Sequence, residues 1–406
     1  MFKLLFTSAY IGKMEVKSRL IMAPVATDFA SLMDGAVTQR LIDYYVERAK
    51  NPGIGLVIVE SAAIDGAYRS HAGHLGIYDD KLIPGLAELV DILHMYGVKV
   101  AIQLGHAGRE ASPQMVKQQV APSAIPCKAT GGMPRELTMV EVEDLVKKFV
   151  EGARRAKMAG FDAVEIHGAH GYLINSFMSP YTNKRIDKYG GSFEGRMRFP
   201  LEIIEGIRKV VGEDFPIIFR LSGDEFVDGG LTIEDTKKIA KVLEDTSVNA
   251  IDVSAGIYES IDMLIQPMYY ERGCIVYLAE KIKKSVNIPV ITVGRINDPI
   301  LAEKVLQEGK ADFVAIGRGL IADPEFAKKT REGRLNEIRK CIACNYCISR
   351  ILGRRRLACT VNPEVGKERE YKIRRVEKPK KVLVVGGGPA GMEAARIAAL
   401  RGHKVT

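Results

Sequence analysis

Eight short apolar runs between residues 19 and 319 limit the folds open to this chain more than any other feature. Each run is rich in Val, Ile and Leu and is nearly continuous, as expected of strands that are buried on both faces. Amphipathic segments separate the runs, and two of them begin with Thr followed by acidic residues, which is typical of a helix start. The runs are RLIMAPV, GLVIVES, KVAIQLG, AVEIHGA, PIIFRLS, AIDVSAG, PVITVGR and FVAIGRG. Eight strand–helix units in about 300 residues predict an α/β fold, the (β/α)8 TIM barrel, rather than an open sheet.

The C-terminal ends of the strands carry the chemistry in a barrel of this kind, so the residues there are the first candidates for a site. The ends of the first, third, fourth and fifth strands supply Pro24, Val25, Ala26, Gln103, His106, His167, His170, Tyr172 and Arg220. The last two runs end in Gly294-Arg295 and Gly317-Arg318. Because glycine lets the backbone approach a ligand and arginine offers a bidentate fork, these pairs predict a bound phosphate group. Structural ion pairs made by the two arginines are the alternative.

Four cysteines follow the barrel in the stretch CIACNYCISRILGRRRLAC, with the pattern C-x2-C-x2-C-x11-C. They are Cys341, Cys344, Cys347 and Cys359. Four thiolates suit either zinc or a [4Fe–4S] cluster, but zinc prefers two C-x2-C pairs, so three closely spaced cysteines favour the cluster. A zinc site, or free or disulfide-linked cysteines, are the alternatives. Cys127 and Cys274 are isolated and are interpreted as ordinary thiols.

The formal net charge of +9 raises the question of a nucleic-acid partner. Residues 350–381 hold twelve Lys or Arg against four Glu, a net +8, so only about +1 remains elsewhere. We therefore expect no nucleic-acid binding, and interpret the segment as a solvated linker or as a neighbour of something anionic, such as the cluster. The N-terminal region has no apolar run long enough for a signal peptide or a membrane span. A cytoplasmic protein without membrane contact is the expectation.

Four motifs in chain order carry a resemblance to a known family. They are NPGIGLVIVESA, IQLGHAGRE, EIHGAHGYLINSFMSPYTNKRIDKYGGSFEGRMRFPLEII and the pair VGRINDP with ADFVAIGRGLIADP. Together with the cysteine motif, they resemble the old yellow enzyme superfamily over essentially the whole chain. The resemblance is closer to its iron–sulfur branch, the group of 2,4-dienoyl-CoA reductase, clostridial enoate reductases and trimethylamine dehydrogenase.

This resemblance implies FMN in the barrel, with hydride passing from the flavin to a bound acceptor. Pro24, Val25, Ala26 and Ser61 would line the flavin ring, Gln103 and Arg220 would bond its pyrimidine end, and Arg295, Gly317 and Arg318 would hold the phosphate. His167 and His170 would polarise a carbonyl or similar group, and Tyr172 would donate a proton. A metal-binding histidine pair and a purely structural tyrosine are the alternatives.

The function that the resemblance implies is that of an NAD(P)H-dependent flavin oxidoreductase of the ene-reductase type. It would reduce an activated C=C bond of a small-molecule substrate, with electrons entering through the 4Fe-4S cluster in the full-length enzyme. The alternatives are an amine dehydrogenase or demethylase of the same superfamily, and an FMN and iron–sulfur electron-transfer subunit that needs a partner protein. A non-flavin barrel with a structural zinc is a remote further alternative. A homo-oligomer is compatible with each of these.

The closing stretch KKVLVVGGGPAGMEAARIAALRGHKVT predicts a strand, a glycine-rich turn and a helix. Gly386, Gly388 and Gly391 form a G-x-G-x-x-G motif in that context, which indicates the start of an FAD- or NAD-binding domain. The acidic residue that would hold the ribose lies roughly 20 residues further on. We therefore expect a partial form of a longer enzyme, with an incomplete FAD site. The expected divisions are 1–335 for the barrel, 336–362 for the cluster segment, 363–380 for a basic linker and 381–406 for the start of the dinucleotide-binding domain.

Overall fold

The computed structural model describes residues 2–406 and contains a closed barrel of eight parallel strands. Each of the eight apolar runs forms one strand, so the predicted (β/α)8 barrel is confirmed. The strands are Leu20–Met22, Leu56–Ala63, Lys99–Gly105, Ala163–Gly168, Ile217–Ser222, Ala250–Ser254, Val290–Thr292 and Phe313–Ile316. Each strand pairs with the next along the chain, and the last pairs with the first, Val314 opposite Leu20. Closure therefore leaves this sheet without an exposed edge.

One main helix follows each strand. The eight helices are Gln39–Ala49, Ile83–His94, Met139–Met158, Phe193–Val211, Ile233–Glu244, Val276–Lys283, Pro299–Gln307 and Phe326–Arg331. Shorter helices are Leu173–Met178, Ile261–Leu264, Arg318–Ala322 and Tyr346–Leu352. The two predicted helix starts are observed as capping boxes, Thr138 with Glu141 and Thr232 with Asp235. Each satisfies two backbone N–H groups that the first helical turn leaves unpaired.

An N-terminal hairpin, Ala9–Ile11 paired with Met14–Val16, lies in front of the first barrel strand. Its buried Ile11, Met14 and Val16 share one apolar cluster with interior residues of the barrel strands, such as Ile21 and Ile58. Because these inward-facing side chains fill the interior, the barrel is a packed core and not a pore. The functional residues are therefore to be sought at the C-terminal ends of the strands.

The chain divides into two compact units, one reaching to Gly366 and the other spanning Lys367–Thr406. The cysteine segment thus belongs to the same unit as the barrel. In the second unit, the strands Lys381–Val382 and Lys404–Val405 pair in parallel and flank the helix Pro389–Leu400. Among residues 2–406, no helix combines the length and apolar character that crossing a membrane requires.

Gly386 and Gly391 explain the glycine spacing at the turn of this second unit. Gly386 has φ +107°, a conformation that side chains disfavour. A Cβ added at position 391 would stand 1.9 Å from the carbonyl oxygen of Gly386. The helix therefore meets the turn only because residue 391 lacks a side chain. Strand, turn and helix follow in that order, and a second short strand, Lys404–Val405, comes after the helix.

Candidate active site

The structure gathers the twelve barrel residues predicted to bind or act on a ligand around one cavity at the C-terminal ends of the strands. The lining includes Pro24, Val25, Ala26, Ser61, Gln103, His167, His170, Tyr172, Arg220, Arg295, Gly317 and Arg318. These residues lie at or near the ends of seven different strands. They are distant in sequence, and closure of the barrel brings them together. A cavity with a largely apolar lining and a few converging polar groups is the usual form of a cofactor or substrate site.

His167 and His170 form the polar centre of this cavity. Their ring centroids lie 5.0 Å apart, and the backbone N–H of Ala169 donates to His167 Nδ1 at 3.3 Å. His170 has a left-handed backbone with φ +67°, its N–H donates to Ser222 Oγ at 3.0 Å, and its Nε2 is bonded to Ser254 Oγ at 2.7 Å. The ends of the fifth and sixth barrel strands thus hold the orientation of His170.

Both histidines are neutral at physiological pH. Burial, and then the charge of Arg220, hold the pKa of His167 well below its usual range. Burial, and then the neighbouring His167, do the same for the pKa of His170. Because Nδ1 of His167 accepts a hydrogen bond, its neutral ring carries the proton on Nε2, where it can be donated to a ligand. The pair therefore offers hydrogen bonds without adding charge to the cavity.

Tyr172 lies beside this pair, with its ring 4.7 Å from that of His167. Its hydroxyl is bonded to the hydroxyl of Tyr258 at 3.0 Å. Burial raises the pKa of Tyr172 above 10. The hydroxyl therefore keeps its proton until a strong base, such as a carbanion, approaches it.

Beneath Gln103 and Arg220, two buried carboxylates occupy the barrel interior. Gln103 Nε2 donates to Glu165 Oε2 at 2.6 Å, and Arg220 Nε lies 3.5 Å from Asp252 Oδ2. Burial, and then the nearby Asp252, raise the pKa of Glu165 to about 8. Glu165 is therefore protonated at neutral pH, and the positive Arg220 faces the carboxylate of Asp252. Glu165 therefore holds the amide of Gln103, and Asp252 holds the guanidinium of Arg220, from the interior of the barrel.

At the opposite side of the cavity, two arginines and a glycine come together. Arg318 Nη1 donates to the carbonyl oxygen of Gln266 at 2.7 Å, and Arg295 Nη1 donates to that of Met268 at 3.1 Å. Among residues 2–406, the buried Nε of Arg295 has no hydrogen-bond partner. A Cβ on Gly317 would stand 3.0 Å from Val25, so glycine keeps this corner open. Both arginines retain hydrogen-bonding capacity for an anionic ligand.

Several cavity residues were not predicted as site residues. They are His71, His74, Ser254, Tyr258, Gln266 and Asn297, together with His106, which the sequence marked only as a strand-end residue. The H-x-x-H spacing in SHAGH was a usable signal for the first two, and Ser254 ends a barrel strand. His71 Nδ1 is bonded to the carboxylate of Asp28, a contact between two loops that no sequence spacing indicates.

The four cysteines of the C-x2-C-x2-C-x11-C motif line a small pocket of their own. Thr360 Oγ1 lies 3.2 Å from Cys344 Sγ, and the N–H of Ala343 donates to Cys341 Sγ at 3.4 Å. In the described chain, no three of the four sulfurs lie within 4.8 Å of one another. A single tetrahedral zinc would bring its sulfurs to about 3.8 Å. The wider spacing fits a cluster of several metal atoms better than one ion.

The match of residues 4–337 to the NADH:flavin oxidoreductase / NADH oxidase family decides the identity of the barrel. The chain belongs to this family. Its members are FMN-dependent oxidoreductases that use NADH or NADPH, which confirms the resemblance to the old yellow enzyme superfamily and the presence of a flavin oxidoreductase barrel.

The similarity to known proteins extends beyond the residues that match the family model. The chain is 56% identical to an NADH oxidase of Thermoanaerobacter brockii, over 99% of this chain and 62% of that protein. It is 39% identical to a cinnamate reductase of Clostridium sporogenes, over 100% of this chain and 64% of that protein. The solved structure of a 2-naphthoyl-CoA reductase superposes with a TM-score of 0.95 at 36% identity, over 99% of this chain and 64% of that one. The chain thus spans somewhat under two thirds of these relatives.

The chemistry of the cavity fits the FMN of this family. Arg295 and Arg318 offer positive charge and free donor capacity for a phosphate, and Gln103 with Arg220 offers hydrogen bonds for the polar edge of a ring system. Buried polar atoms without a protein partner indicate a ligand. Within residues 2–406 these include His106 Nε2 and Asn297 Oδ1, besides Arg295 Nε.

Proposed function

We propose that this chain is the flavin-binding part of an NAD(P)H-dependent ene-reductase that reduces the C=C bond of an activated alkene. The observation that carries the proposal is the convergence of two neutral histidines and a protonated tyrosine at one cavity. Bound FMN would supply the hydride, and Pro24, Val25, Ala26, Ser61, Gln103, Arg220, Arg295, Gly317 and Arg318 would hold it. The cinnamate reductase among the relatives supports this class of substrate.

His167 and His170 would bind the carbonyl oxygen of the alkene substrate. Adding hydride to the β carbon builds negative charge on that oxygen, so two N–H donors aimed at it lower the barrier. Because burial keeps both rings neutral, they stay donors of the same strength across the neutral pH range. Ser254 and Ser222, which bond His170, would prevent it from turning away as the charge develops.

Tyr172 would deliver the proton that completes the reduction at the α carbon. A phenol that burial keeps protonated is a suitable acid for an enolate carbon, and such a positioned proton donor contributes typically about 10²- to 10⁴-fold in rate. Its ring packs against His167, which orients both groups toward one ligand.

Cys341, Cys344, Cys347 and Cys359 would hold a 4Fe-4S cluster that exchanges electrons with the flavin. The contact between the two pockets supports this role, since Cys341 and Arg318 line both of them. Asn297, a residue of the flavin cavity, also donates from Nδ2 to the carbonyl oxygen of Cys341 at 2.6 Å. A cluster next to the flavin needs no long-range electron path.

Gly386, Gly388 and Gly391 would begin an FAD- or NAD-binding domain through which NAD(P)H supplies electrons. The glycine contacts at the turn before Pro389–Leu400 support a close approach of a pyrophosphate to the helix start. The lengths of the relatives, of which this chain covers 62% and 64%, are consistent with such a domain beyond these residues.

An anaerobic experiment tests the proposed function. The chain is reconstituted with FMN and iron–sulfur, reduced photochemically or with NADH, and mixed with cyclohexenone while the flavin absorbance is followed. We expect prompt reoxidation and formation of cyclohexanone, and loss of about 10²-fold in that rate in Tyr172→Phe. Bleaching by a methylated amine, with no reaction of the reduced form toward any activated alkene, would overturn the proposal in favour of an amine dehydrogenase.

A further inference from the structure

The hydroxyl of Tyr172 has one hydrogen-bond partner among residues 2–406, and that partner is the hydroxyl of Tyr258. The two hydroxyl oxygens are 3.0 Å apart, and the rings meet edge to face with centroids 5.8 Å apart. Tyr258 follows the sixth barrel strand, 86 residues further along the chain. Neither His167 nor His170, which are the polar groups nearest Tyr172 on the cavity side, is bonded to its hydroxyl.

Tyr258 lies between two spaces. Tyr258 lines the barrel cavity, and it also lines an outer pocket that contains Asp224, Asp228 and Glu259. This outer pocket reaches the surface, since its Lys128 and Asp228 are exposed. Tyr258 is thus a hydroxyl that separates the proton donor of the cavity from an acidic pocket in contact with solvent.

The charged groups around the tyrosine pair disfavour a lasting phenolate. Glu110 lies behind the pair and is bonded within a buried cluster with Arg109, Cys127 and Glu259. Burial raises the pKa of Glu110 to about 8, and burial likewise raises the pKa of Tyr258 well above 10. A phenolate at either position is therefore unfavourable, so a proton lost from Tyr172 would have to be replaced before a further cycle. The neutral histidines cannot replace it, because a neutral imidazole N–H is a far weaker acid than a phenol.

We propose that Tyr258 is a relay residue, through which Tyr172 regains its proton from the outer pocket after each turnover. The inference rests on the proposed function. When the Tyr172 O–H bond breaks and its proton goes to the α carbon, the proton of Tyr258 moves to Tyr172 Oη. A proton from water in the outer pocket then restores the Tyr258 O–H bond. One solvent proton enters for each proton transferred, and the hydride comes from the reduced flavin.

Comparison of first and later turnovers tests the relay, because Tyr172 starts each experiment protonated. In Tyr258→Phe, the first turnover of pre-reduced enzyme with cyclohexenone should slow far less than steady-state turnover, which should fall about tenfold with a larger solvent deuterium isotope effect. Tyr181→Phe removes a hydroxyl from the same outer pocket without touching Tyr172 and should behave as the wild type. Equal slowing of the first and later turnovers would assign Tyr258 a merely structural role and overturn the relay.

A second measurement does not depend on turnover. In the flavin-free chain labelled with [ζ-13C]tyrosine, the NMR titration of Tyr172, assigned with Tyr172→Phe, gives its pKa. The hydrogen bond from Tyr258 lowers the pKa of Tyr172, so Tyr258→Phe should raise it. An unchanged titration would overturn the relay even if the wild type reduces no alkene. Failure of the proposed function therefore remains separable from failure of the relay.

Discussion

Arg318 Nη1 donates a hydrogen bond to Oδ1 of Asn345, so a residue of the flavin cavity is bonded to the residue between two of the motif cysteines. Asn345 has a left-handed backbone, φ +56°, and its Nδ2 also donates to the carbonyl oxygen of Ile265 at 2.8 Å. We expect Asn345→Ala to weaken FMN binding about tenfold, since a hydrogen bond to a charged group is worth about 1.5 kcal/mol. Flavin fluorescence titration measures this, with Ser349→Ala on the adjacent helix as the control. Unchanged FMN affinity would show that Arg318 is positioned without Asn345.

Ser254 holds the histidine pair by its bond to His170 Nε2. Ser254→Ala should lower kcat/KM for an activated alkene about tenfold. Without the bond from Ser254, the His170 ring is less well oriented to stabilise the negative charge that develops on the substrate oxygen. The rate at which NADH reduces the flavin should not change. Stopped-flow kinetics of the two half-reactions separate these effects, and Ser285→Ala, far from the cavity, is the control. A loss confined to the NADH half-reaction would contradict this role.

His106 should make the stability of the fold depend on pH. Burial lowers its pKa to about 4, compared with about 6.5 in an unfolded chain. Between these values the unfolded state binds more protons, so the contribution of His106 is fully present above about pH 6.5 and is lost as the pH falls toward about 4. The difference in unfolding free energy between wild type and His106→Asn should shrink by up to about 1.4 kcal/mol per pH unit in that window. Urea unfolding from pH 7 to pH 5 measures it; parallel curves would contradict the assignment.

Cys359 returns to the other three cysteines after an 11-residue segment that begins within the helix Tyr346–Leu352. If the four hold a cluster, Cys359→Ser should reduce the bound iron and sulfide and weaken the broad visible absorbance. Cys274→Ser, outside the motif, should retain both. Iron and acid-labile sulfide analysis of anaerobically purified protein checks this expectation. Stoichiometric zinc in place of iron would contradict it.

Gly391 allows the helix Pro389–Leu400 to meet the turn at Gly386. Gly391→Ala places a Cβ 1.9 Å from a backbone oxygen, so the second unit should open and be cleaved faster by protease. Gly387→Ala is the matched control, because no heavy atom of the described chain lies within 4 Å of its added Cβ. FMN binding to the barrel should be unaffected in both variants. Equal protease resistance would show that the turn tolerates the added atom.

The sequence by itself determined the barrel and many of the strand-end residues that line its cavity. Eight apolar runs of strand length, separated by amphipathic helices, have few other ways to bury both faces of each strand. Once the barrel is given, the ends of its strands meet at one mouth, and Gln103, His167 and Arg220 become neighbours. Cysteine and glycine spacing likewise indicated the cluster motif and the strand–turn–helix unit, because both depend on local backbone geometry.

Only the tertiary structure decided which side chains of the site form hydrogen bonds with one another. The bonds of Tyr258 to Tyr172, of Ser254 to His170 and of Asn345 to Arg318 join residues 27 to 86 positions apart. Such contacts depend on the paths of loops and the rotamers of side chains, which no periodicity encodes. Burial also exists only in the folded chain, and it is burial that lowers the pKa of His167 and His170 and raises the pKa of Tyr172. Many residues of the site could thus be named from the sequence, while Ser254, Tyr258 and the hydrogen bonds of the site are known only from the fold.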